Sequence, residues 1–397
     1  MVRILVLSFY FTPDLSAGSF RTTALVKAFL KKYPDDVHID VITTLPNRYK
    51  TFSTAAPEHE RSDGLEIHRI KLPSHQSGML DQTKAFINFF RKANVLVSDR
   101  EYDLVYATSS RLMTAVLGAW ISVRKKARLY LDIRDIFVDT IKDVLPRMVT
   151  FFILPIFSFL EYWAVSKADK VNLVSKGFKN YFESRYPNKK LSFFTNGIDD
   201  EFLDVASNRP KEIATDKSIK VLYAGNMGEG QGLHMVIPPL AIKMQDRIKF
   251  ILIGDGGRKP ELQSALTKTE CKNVELREPV DRKELIKAYL DADVLFLHLN
   301  NYAAFHKVLP SKFFEYAALG KPIWAGVSGY AAEFAKSEID NTAVFSPCNV
   351  IEATEVFESL KLIDKERSEF VSKYARKNIM KSMVDDVLSI LNERDSG

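Results

Sequence analysis

The chain has 397 residues, of which 46% are hydrophobic and 27% charged, and this composition is typical of a folded protein and excludes a disordered or fibrous chain. The formal net charge of +6 is unevenly spread: residues 1–200 carry 29 Lys and Arg against 21 Asp and Glu, whereas the remainder carries 27 against 29. Two cysteines exclude a disulfide framework and favour a reducing, cytoplasmic compartment.

The N-terminal apolar run Val2–Phe9 predicts a buried strand. We expect no signal peptide here, because Thr-Pro-Asp follows and a small-residue cleavage site is missing. The stretch Thr12–Ser19 is predicted to be a loop leading into a helix over Phe20–Tyr33. A strand, a glycine-containing loop and a helix can form a phosphate or sugar site, but most such loops are only connections.

Further strands of the first half are predicted at Val37–Thr43, Glu66–Leu72, Asp103–Ala107, Arg128–Ile133 and Ala168–Ser175. The fourth of these ends in Asp132-Ile-Arg134-Asp135. Two carboxylates around an arginine at a strand end form either a solvated ion pair or the edge of an active site.

Two segments of the first half combine aromatic residues with nearby Lys and Arg. The stretch Asp81–Val97 is amphipathic, and Met148–Val165 is the most apolar stretch of the chain. Pro155 and Glu161 interrupt the second segment, which argues against a membrane span. It is either a core helix or a helix that lies in a membrane interface.

The second half repeats the alternation of strands and helices. Predicted strands at Ile219–Tyr223 and Lys249–Ile253 lead into glycine-rich turns over Ala224–Gly232 and Gly254–Gly257. Such turns allow the close approach of a phosphate to the backbone. They lack the G-x-G-x-x-G dinucleotide spacing, so each is a weak signal by itself.

The stretch 306–323 is the most informative part of the chain. An apolar run at Ala292–His298 predicts a strand, and Pro310–Leu319 predicts a short helix that follows it. The first turn of this helix holds a hydroxyl and a cation, Ser311 and Lys312, and Glu315 follows. The group suits a phosphate joined to a hydroxyl-bearing group, although a strand, a capped helix and another strand would also look like this in any α/β unit.

The run PSKFFEYAALGKPI, followed by GVSGYAAEF, resembles the nucleotide-sugar signature of family 4 glycosyltransferases. The resemblance implies the α/β GT-B fold, with two Rossmann-like doubly wound domains facing across a cleft. It implies an N-terminal acceptor-binding domain over 1–200, a nucleotide-sugar domain over 201–373 that begins with a linker at Glu201–Lys217, and a C-terminal helix over 374–397 that packs back on the N-terminal domain.

The resemblance also implies roles for individual residues, with Glu315 on the ribose hydroxyls. The donor-binding residues are Gly225, Asn226, Gly228, Gln231, Gly254, Arg258, Pro310, Ser311, Lys312 and Glu315. The catalytic residues are Asp135, Arg134 and Lys307, and the acceptor-binding residues are Gly18, Ser19 and Arg21.

The chain departs from the family pattern at three of these positions. Asn226 and Gln231 stand where family members often have cations for the pyrophosphate, so Lys312 and Arg258 are the expected replacements. Lys307 replaces the first glutamate of the Glu-x7-Glu motif, and a lysine cannot accept hydrogen bonds from sugar hydroxyls.

The implied function is that of a retaining hexosyl- or N-acetylhexosaminyltransferase with a UDP-sugar as donor substrate and no cofactor or metal. The acceptor would be a polyprenyl-diphosphate-linked saccharide at the inner leaflet of the membrane, in lipopolysaccharide O-antigen or capsule biosynthesis. The variants Gly-Asn-x-Gly and Pro-Ser-Lys are similar to those of the L-fucosamine transferases of O-antigen assembly.

Two other functions stay open at this point. A GT-B sugar-nucleotide epimerase would need no acceptor, and a catalytically silent binding subunit would explain the lost glutamate. Nucleic acid is not an expected partner, because the sequence has no motif for it. No cluster of His, Cys or Asp stands at metal-ligand spacing, so no metal site is expected.

Overall fold

The computed structural model describes residues 1–46, 55–72, 79–109, 111–204 and 218–392. The chain divides into two units, one formed by 1–197 with 376–397 and the other by 198–375. The predicted boundaries, 200/201 and 373/374, lie within three residues of these divisions. Most of the predicted linker, 205–217, falls outside the described residues, and its first four residues belong to a short helix.

Unit 1, the N-terminal unit, is built on a sheet of eight described strands. These are β1 (Val2–Leu7), β2 (Val37–Thr44), β3 (His59–Ser62), β4 (Leu65–Ile70), β5 (Leu104–Thr108), β6 (Arg128–Ile133), β7 (Lys170–Leu173) and β8 (Leu191–Ser192). Their order is β3-β4-β2-β1-β5-β6-β7-β8, and all neighbours are parallel except β3, which is antiparallel to β4. The edge strand β3 is absent from the sequence prediction, since His-Glu-Arg-Ser has no apolar alternation.

The described helices of unit 1 cover both faces of this sheet, as expected for parallel strands that read as continuous apolar runs. They are α1 (Ala17–Lys32), α2 (Met79–Leu96), α3 (Leu112–Lys125), α4 (Phe137–Val144), α5 (Arg147–Lys167), α6 (Lys179–Arg185) and, from the C-terminus, α15 (Arg376–Asn392). Helix α15 buries Met383, Val384 and Val387 in the same core as Leu25 and Phe29 of α1. The C-terminal helix is therefore part of unit 1.

Helix α1 begins three residues earlier than the sequence predicts. Ser16 is its N-cap, and the Ser16 side chain accepts a hydrogen bond of 3.1 Å from the Ser19 backbone N–H. The stretch predicted as the end of a loop is therefore the first turn of the helix. Ser19 and Arg21 consequently face the sheet and are completely buried.

The two aromatic segments of unit 1 differ in their surroundings. Helix α2 buries Phe86 and Phe89 in the core. Helix α5 instead leaves large apolar side chains in solvent, with Phe151 75% and Phe159 65% exposed. Among the described residues, α5 is the one helix long and apolar enough to cross a membrane by length and composition.

Unit 2, the second unit, has a parallel sheet of six described strands. They are β9 (Ile219–Ala224), β10 (Ile248–Ile253), β11 (Val274–Arg277), β12 (Val294–His298), β13 (Ile323–Gly326) and β14 (Thr342–Phe345). Their order is β11-β10-β9-β12-β13-β14, so the winding direction reverses between β9 and β12. In a doubly wound sheet, ligands bind beyond the carboxyl ends of the strands at this reversal.

The helices of unit 2 pack on both faces of the sheet. They are α7 (Asp200–Asp204), α8 (Leu233–Lys243), α9 (Lys259–Lys268), α10 (Arg282–Asp291), α11 (Lys312–Ala318), α12 (Tyr330–Glu338), α13 (Val350–Phe357) and α14 (Ser368–Tyr374). Alternate residues of β12 enter different cores: Leu295 lies with Phe313 of α11, whereas Phe296 lies with Leu240 of α8. Helix α11 is shorter than the predicted 310–319 and begins after Ser311.

Candidate functional site

Two glycine turns of unit 2 are packed directly against each other at the ends of neighbouring strands. Gly225 follows β9 and Gly254 follows β10, with φ of +144° and +148°, a region that L side chains rarely adopt. A Cβ atom on Gly254 would lie 1.9 Å from the Gly225 carbonyl oxygen. Met227 N–H donates to Asp255 O at 2.8 Å, and Arg258 N–H donates to Met227 O at 2.9 Å. The two turns therefore form one backbone surface that only glycine permits.

Asn226 and Gln231 stabilise this surface from within. The Gln231 side-chain oxygen accepts from Asn226 Nδ2 at 2.8 Å and from the Gly228 N–H at 3.2 Å. A Cβ atom on Gly228 would lie 2.6 Å from Asn226 Nδ2. Asn226 and Gln231 were predicted to contact the donor. In the structure they hydrogen-bond to each other and so stabilise the turn.

Lys312 joins the second predicted motif to the first. Its Nζ lies 2.4 Å from the position that a Cβ on Gly225 would occupy, and 5.7 Å from the centre of the Tyr223 ring. The Tyr223 hydroxyl donates to Asn226 O at 2.5 Å. A cation therefore lies on the glycine turn after β9, where the sequence predicted a replacement for the family's cations.

Arg258, the other predicted replacement, lies between two carboxylates. Its Nε donates to Glu229 at 2.6 Å and its Nη1 to Glu261 at 2.6 Å. The hydrogen bonds that Arg258 donates to Glu261 and Glu229 raise its pKa above its ordinary value. The charge of Arg258 is therefore balanced by these two carboxylates in this structure.

Glu315 is half-buried on α11, beside two residues of α10 that the sequence analysis did not single out. The Tyr289 hydroxyl donates to Glu315 Oε2 at 3.3 Å, and Arg282 Nη1 lies 3.9 Å from Oε1. Arg282 makes a much shorter ion pair with Asp199, at 2.6 Å. These contacts fix the Glu315 carboxylate on the same helix as Lys312 and leave it capacity to accept further hydrogen bonds.

The segment before α11 lies against the glycine-rich stretch. Phe305 meets Gly230, and His306 lies so close to Gly329 that a Cβ there would be 2.2 Å from the His306 carbonyl oxygen. Lys307 ends the 3-10 turn Ala303–Lys307 and is half-buried. Pro310 and Ser311, also half-buried, precede α11, and Ser311 occupies its N-cap position.

His298 is a residue of this site that the sequence analysis missed. It ends β12, is 1% exposed, and lies 2.7 Å from Gln231 O through Nδ1, while Nε2 accepts from the Cys348 N–H at 2.9 Å. Nδ1 therefore carries the proton and donates it to Gln231 O. Burial lowers the pKa of His298 to about 4, so the ring is neutral at pH 7. Its signal in the sequence is a polar residue that ends a buried strand.

In unit 1, the predicted catalytic pair lies at the end of β6. The Arg134 backbone N–H donates to Ser109 Oγ at 3.3 Å, and Arg134 Nη1 donates to Ala17 O at 3.4 Å. The guanidinium carbon lies 3.8 Å from the position of a Cβ on Gly18. Asp135 is exposed beside it. The structure thus brings Gly18, Arg134 and Asp135 together at one edge of the sheet.

The structure places Ser19 and Arg21, which were predicted to bind the acceptor, inside unit 1. Arg21 forms a bidentate ion pair with Asp132, with bonds of 2.8 and 3.0 Å, and its Nη1 donates to Thr195 O at 2.6 Å. Ser19, Arg21 and Asp132 are all completely buried. Burial acts to raise the pKa of Asp132, but the charge and hydrogen bonds of Arg21, together with Arg134 and Asn172, outweigh it, and the pKa lies below its ordinary value. Asp132 is thus paired with Arg21 inside the unit and not with Arg134 in solvent.

Comparison with known proteins gives a family match that lies mostly in the second unit. Residues 204–378 match the family model described as glycosyl transferases group 1. This segment includes both glycine turns, Lys312 and Glu315. A stretch of 161 residues is 27% identical to WcaI of Escherichia coli K12, whose name assigns it to colanic acid biosynthesis as a glycosyl transferase. That match covers 38% of this chain and only 39% of WcaI.

Solved structures are similar over nearly the full length of the chain. WaaG, a glycosyltransferase involved in lipopolysaccharide biosynthesis, matches with a TM-score of 0.64 and 11% identity, covering 98% of both chains. The chain has the GT-B fold of glycosyltransferases.

HepE of Anabaena, solved with UDP, matches with a TM-score of 0.56 and 16% identity over 99% of this chain and 98% of its own. The trehalose-6-phosphate protein of E. coli, solved with UDP-2-fluoroglucose, matches with a TM-score of 0.63 and 11% identity over 99% and 98%. The predicted fold class is confirmed.

Proposed function

We propose that the chain is a retaining glycosyltransferase that uses a UDP-sugar donor. The observation that carries the proposal is the position of Lys312, whose ammonium lies on the Gly225 turn beyond the carboxyl end of β9, at the reversal of the sheet. In a glycosyl transfer, negative charge builds up on the departing diphosphate. A fixed cation on a backbone that admits phosphate closely stabilises that charge electrostatically.

Binding of the nucleoside is assigned to Glu315. Its carboxylate is held by Tyr289 and Arg282, so it meets a ligand with little loss of side-chain freedom. Two carboxylate oxygens suit the two hydroxyls of a ribose. UDP as the nucleotide is supported by the structures of similar fold that were solved with UDP and with UDP-2-fluoroglucose.

The acceptor is assigned to unit 1, at the strand-end group of Gly18, Arg134 and Asp135. Retaining transfer in which the departing phosphate takes the acceptor proton needs no strong protein base. Arg134 would then orient an anionic or hydroxyl-rich acceptor, and Asp135 would contact it or the sugar. Lys307 is the third proposed catalytic residue, beside the diphosphate.

The donor sugar is proposed to be N-acetylated or deoxy, and the acceptor a polyprenyl-diphosphate-linked saccharide of a bacterial surface polysaccharide. The similarity to WcaI and the variants Gly225-Asn226 and Pro310-Ser311 support this class of pathway. Neither a metal nor a further cofactor has a part in the proposed transfer, because Lys312 supplies the cation.

The test is a product assay on the whole chain. Each UDP-sugar is incubated with and without a polyprenyl-diphosphate-linked saccharide, and UDP, free sugar nucleotide and glycolipid are quantified. We expect UDP release only with acceptor, and a product whose anomeric configuration equals that of the donor. An isomerised sugar nucleotide without acceptor would show an epimerase, and binding without either product would show a silent subunit.

A peripheral position on the cytoplasmic face of the inner membrane is part of the proposal. Helix α5 presents Met148, Phe151, Phe152, Ile156 and Phe159 to solvent, each between 59% and 79% exposed. These positions recur every three or four residues and so form one face of the helix. An acceptor anchored in lipid must meet the protein at the bilayer surface, and this face supplies the apolar contact.

The helix is proposed to lie in the interface and not to span the bilayer. Its C-terminal third is anchored in unit 1, since Glu161 is 5% exposed and accepts from the Tyr181 hydroxyl at 2.6 Å and the Tyr186 hydroxyl at 3.1 Å. Ala164 and Val165 are also buried. A helix fixed to the protein core over its last two turns has only its first part free for lipid.

The basic residues of α2 were the other predicted membrane contact. Lys84, Arg91 and Lys92 are exposed, but the aromatic residues beside them are partly or fully buried in unit 1. The large apolar side chains that α2 exposes, Ile87 and Val95, are fewer than those of α5, and each of the three basic residues would add at most about 1 kcal/mol on an anionic surface. The α5 face is therefore the primary contact.

A further inference from the structure

A cluster of histidines and acidic residues lies on the edge of the unit 1 sheet, and it contains no residue to which a role was assigned above. It is formed across the antiparallel pair β3–β4, where His59 stands directly opposite His68. Glu66 precedes His68 by two residues and therefore projects from the same face of β4. The sequence analysis expected no such cluster, because it did not predict β3.

The two imidazoles converge on one carboxylate oxygen. Glu66 Oε1 lies 2.8 Å from His59 Nε2 and 3.2 Å from His68 Nε2. The two rings are stacked, with centroids 4.7 Å apart and an interplanar angle of 16°. The three ligand atoms all lie within 4.8 Å of one another. This is the spacing at which three donor atoms can share one metal ion.

The His68 nitrogen is a buried polar atom that faces the other two ligand atoms. His68 Nε2 is buried and makes no hydrogen bond within the described part of the chain, although it faces Glu66.

The surrounding charges orient the carboxylate and leave the site net negative. Arg100 Nη1 bonds to Glu66 Oε2 at 3.0 Å and to Asp40 at 2.9 Å, and the Tyr102 hydroxyl donates to Asp40 at 2.6 Å. One guanidinium thus faces two carboxylates. Arg100 Nη2 also reaches Glu66 Oε1, at the longer distance of 3.2 Å, and this is the bond that a metal ion would replace. Outer partners of this kind commonly orient metal-binding carboxylates.

We infer that His59, Glu66 and His68 form a binding site for a divalent transition-metal ion, with Zn²⁺ as the best match. Two imidazoles and one carboxylate, with a fourth position open to water, is a ligand set that Zn²⁺ accepts, and Ca²⁺ and Mg²⁺ prefer oxygen alone. The ion would tie the edge strand β3 to β4 and so stabilise the end of the sheet. The site is separate from the proposed transfer chemistry, so either inference can fail alone.

A neighbouring combination defines the necessary control. His38 Nε2 lies 3.2 Å from Asp40 Oδ1, and His38, Asp40 and Glu66 also have their ligand atoms within 4.8 Å. This second set shares Glu66 but has a single imidazole. A metal held there would depend on His38 and not on His59 or His68.

The experiment uses the full chain, stripped with chelator and dialysed. Zn²⁺ affinity is measured by competition with a chromophoric chelator, and Co²⁺ is added as a visible-absorption probe of the ligand set. We expect one ion per chain and a Zn²⁺ affinity that falls at least tenfold in His59→Gln and in His68→Gln. His38→Gln and His234→Gln, the latter on α8 of unit 2, should bind as the wild type does.

The melting temperature without metal serves as the folding control for each variant. The inferred metal should raise the melting temperature of the wild type and of the two control variants, but not that of His59→Gln or His68→Gln. Equal Zn²⁺ affinity in all five proteins would overturn the inference. Loss confined to His38→Gln would assign the ion to the neighbouring set instead, and wild-type binding of several weak ions without a Co²⁺ band would show surface binding only.

Discussion

Replacing Lys312 by Gln tests the assignment of the donor phosphates. The substitution keeps a polar side chain that is one atom shorter and removes the charge that lies on the Gly225 turn. A hydrogen bond to a charged group contributes about 1.5–3 kcal/mol, and every 1.4 kcal/mol is a factor of ten in affinity. Because Lys312 is only half-buried, solvent screening favours the lower part of this range. We expect UDP to bind about 10- to 30-fold more weakly.

The assay is calorimetric titration with uridine, UMP and UDP. Lys312→Gln should weaken the binding of UDP while leaving that of uridine unchanged, because uridine has no phosphate. Glu315→Ala should weaken all three ligands by about tenfold or more, because each has the ribose. Glu315→Ala should still fold, since Arg282 keeps its 2.6 Å ion pair with Asp199. Lys336→Gln, an exposed lysine of α12, is the matched control.

Unchanged UDP affinity in a folded Lys312→Gln protein would refute the argument that this ammonium receives the phosphates. An equal loss for uridine and UDP would also contradict it, because the effect would then come from a distorted turn. The pattern across the three ligands therefore separates charge from packing.

Arg21→Met should lower the free energy of unfolding by about 3–5 kcal/mol in urea titrations, because it leaves the Asp132 carboxylate buried without its cation. His298 has a pKa of about 4 in the folded protein against 6.5 in the unfolded chain, so its contribution to stability is lost as the pH falls from 6.5 to 4. Over that interval the free energy of unfolding of His298→Gln should fall by roughly 3 kcal/mol less than that of the wild type, as measured by denaturation at several pH values. Phe151→Ser with Phe152→Ser should reduce flotation with anionic liposomes several-fold at low salt, and the wild type should bind less as salt rises. Sugar transfer should continue in EDTA, as measured by UDP release with acceptor.

Each of these expectations has an opposing result. An Arg21→Met protein as stable as the wild type would show that the buried pair is replaceable. A stability profile of His298→Gln parallel to that of the wild type would remove the histidine as the titrating group. Equal flotation of the Phe151→Ser, Phe152→Ser protein would point to the basic residues of α2, tested by Lys84/Arg91/Lys92→Ser. Transfer that chelator abolishes and magnesium or manganese restores would contradict the metal-independent proposal.

Local sequence patterns determined much of the fold. Apolar runs of strand length, each followed by a turn and an amphipathic segment, predicted the parallel sheets, and the glycines after β9 and β10 marked the donor turns. These features depend on contacts close in sequence, such as a positive φ at Gly225 or the burial of alternate residues in a strand. These patterns made Gly225, Lys312 and Glu315 candidates, and the resemblance to the family implied their roles.

Contacts between distant parts of the chain were decided by the tertiary structure alone. The three-residue shift in the start of α1 turned Arg21 from a candidate ligand contact into the partner of Asp132. A helix rotates by about 100° per residue, so a small error in its start changes which side chains are buried. The placement of Lys312 on Gly225 likewise required the packing of α11 beside β9.

Helix α5 and the β3–β4 edge show the same division. The composition of α5 fixes an apolar helix, but only the packing of its neighbours decides that Phe151 faces solvent while Val165 is buried. His59 and His68 lie close together because the antiparallel pairing of β3 and β4 sets them opposite each other. The sequence of β3 has no apolar alternation, so it does not predict this strand. The sequence gives the chemistry of each side chain. The strand register and the helix packing decide which side chains share a site, and both depend on contacts along the whole chain.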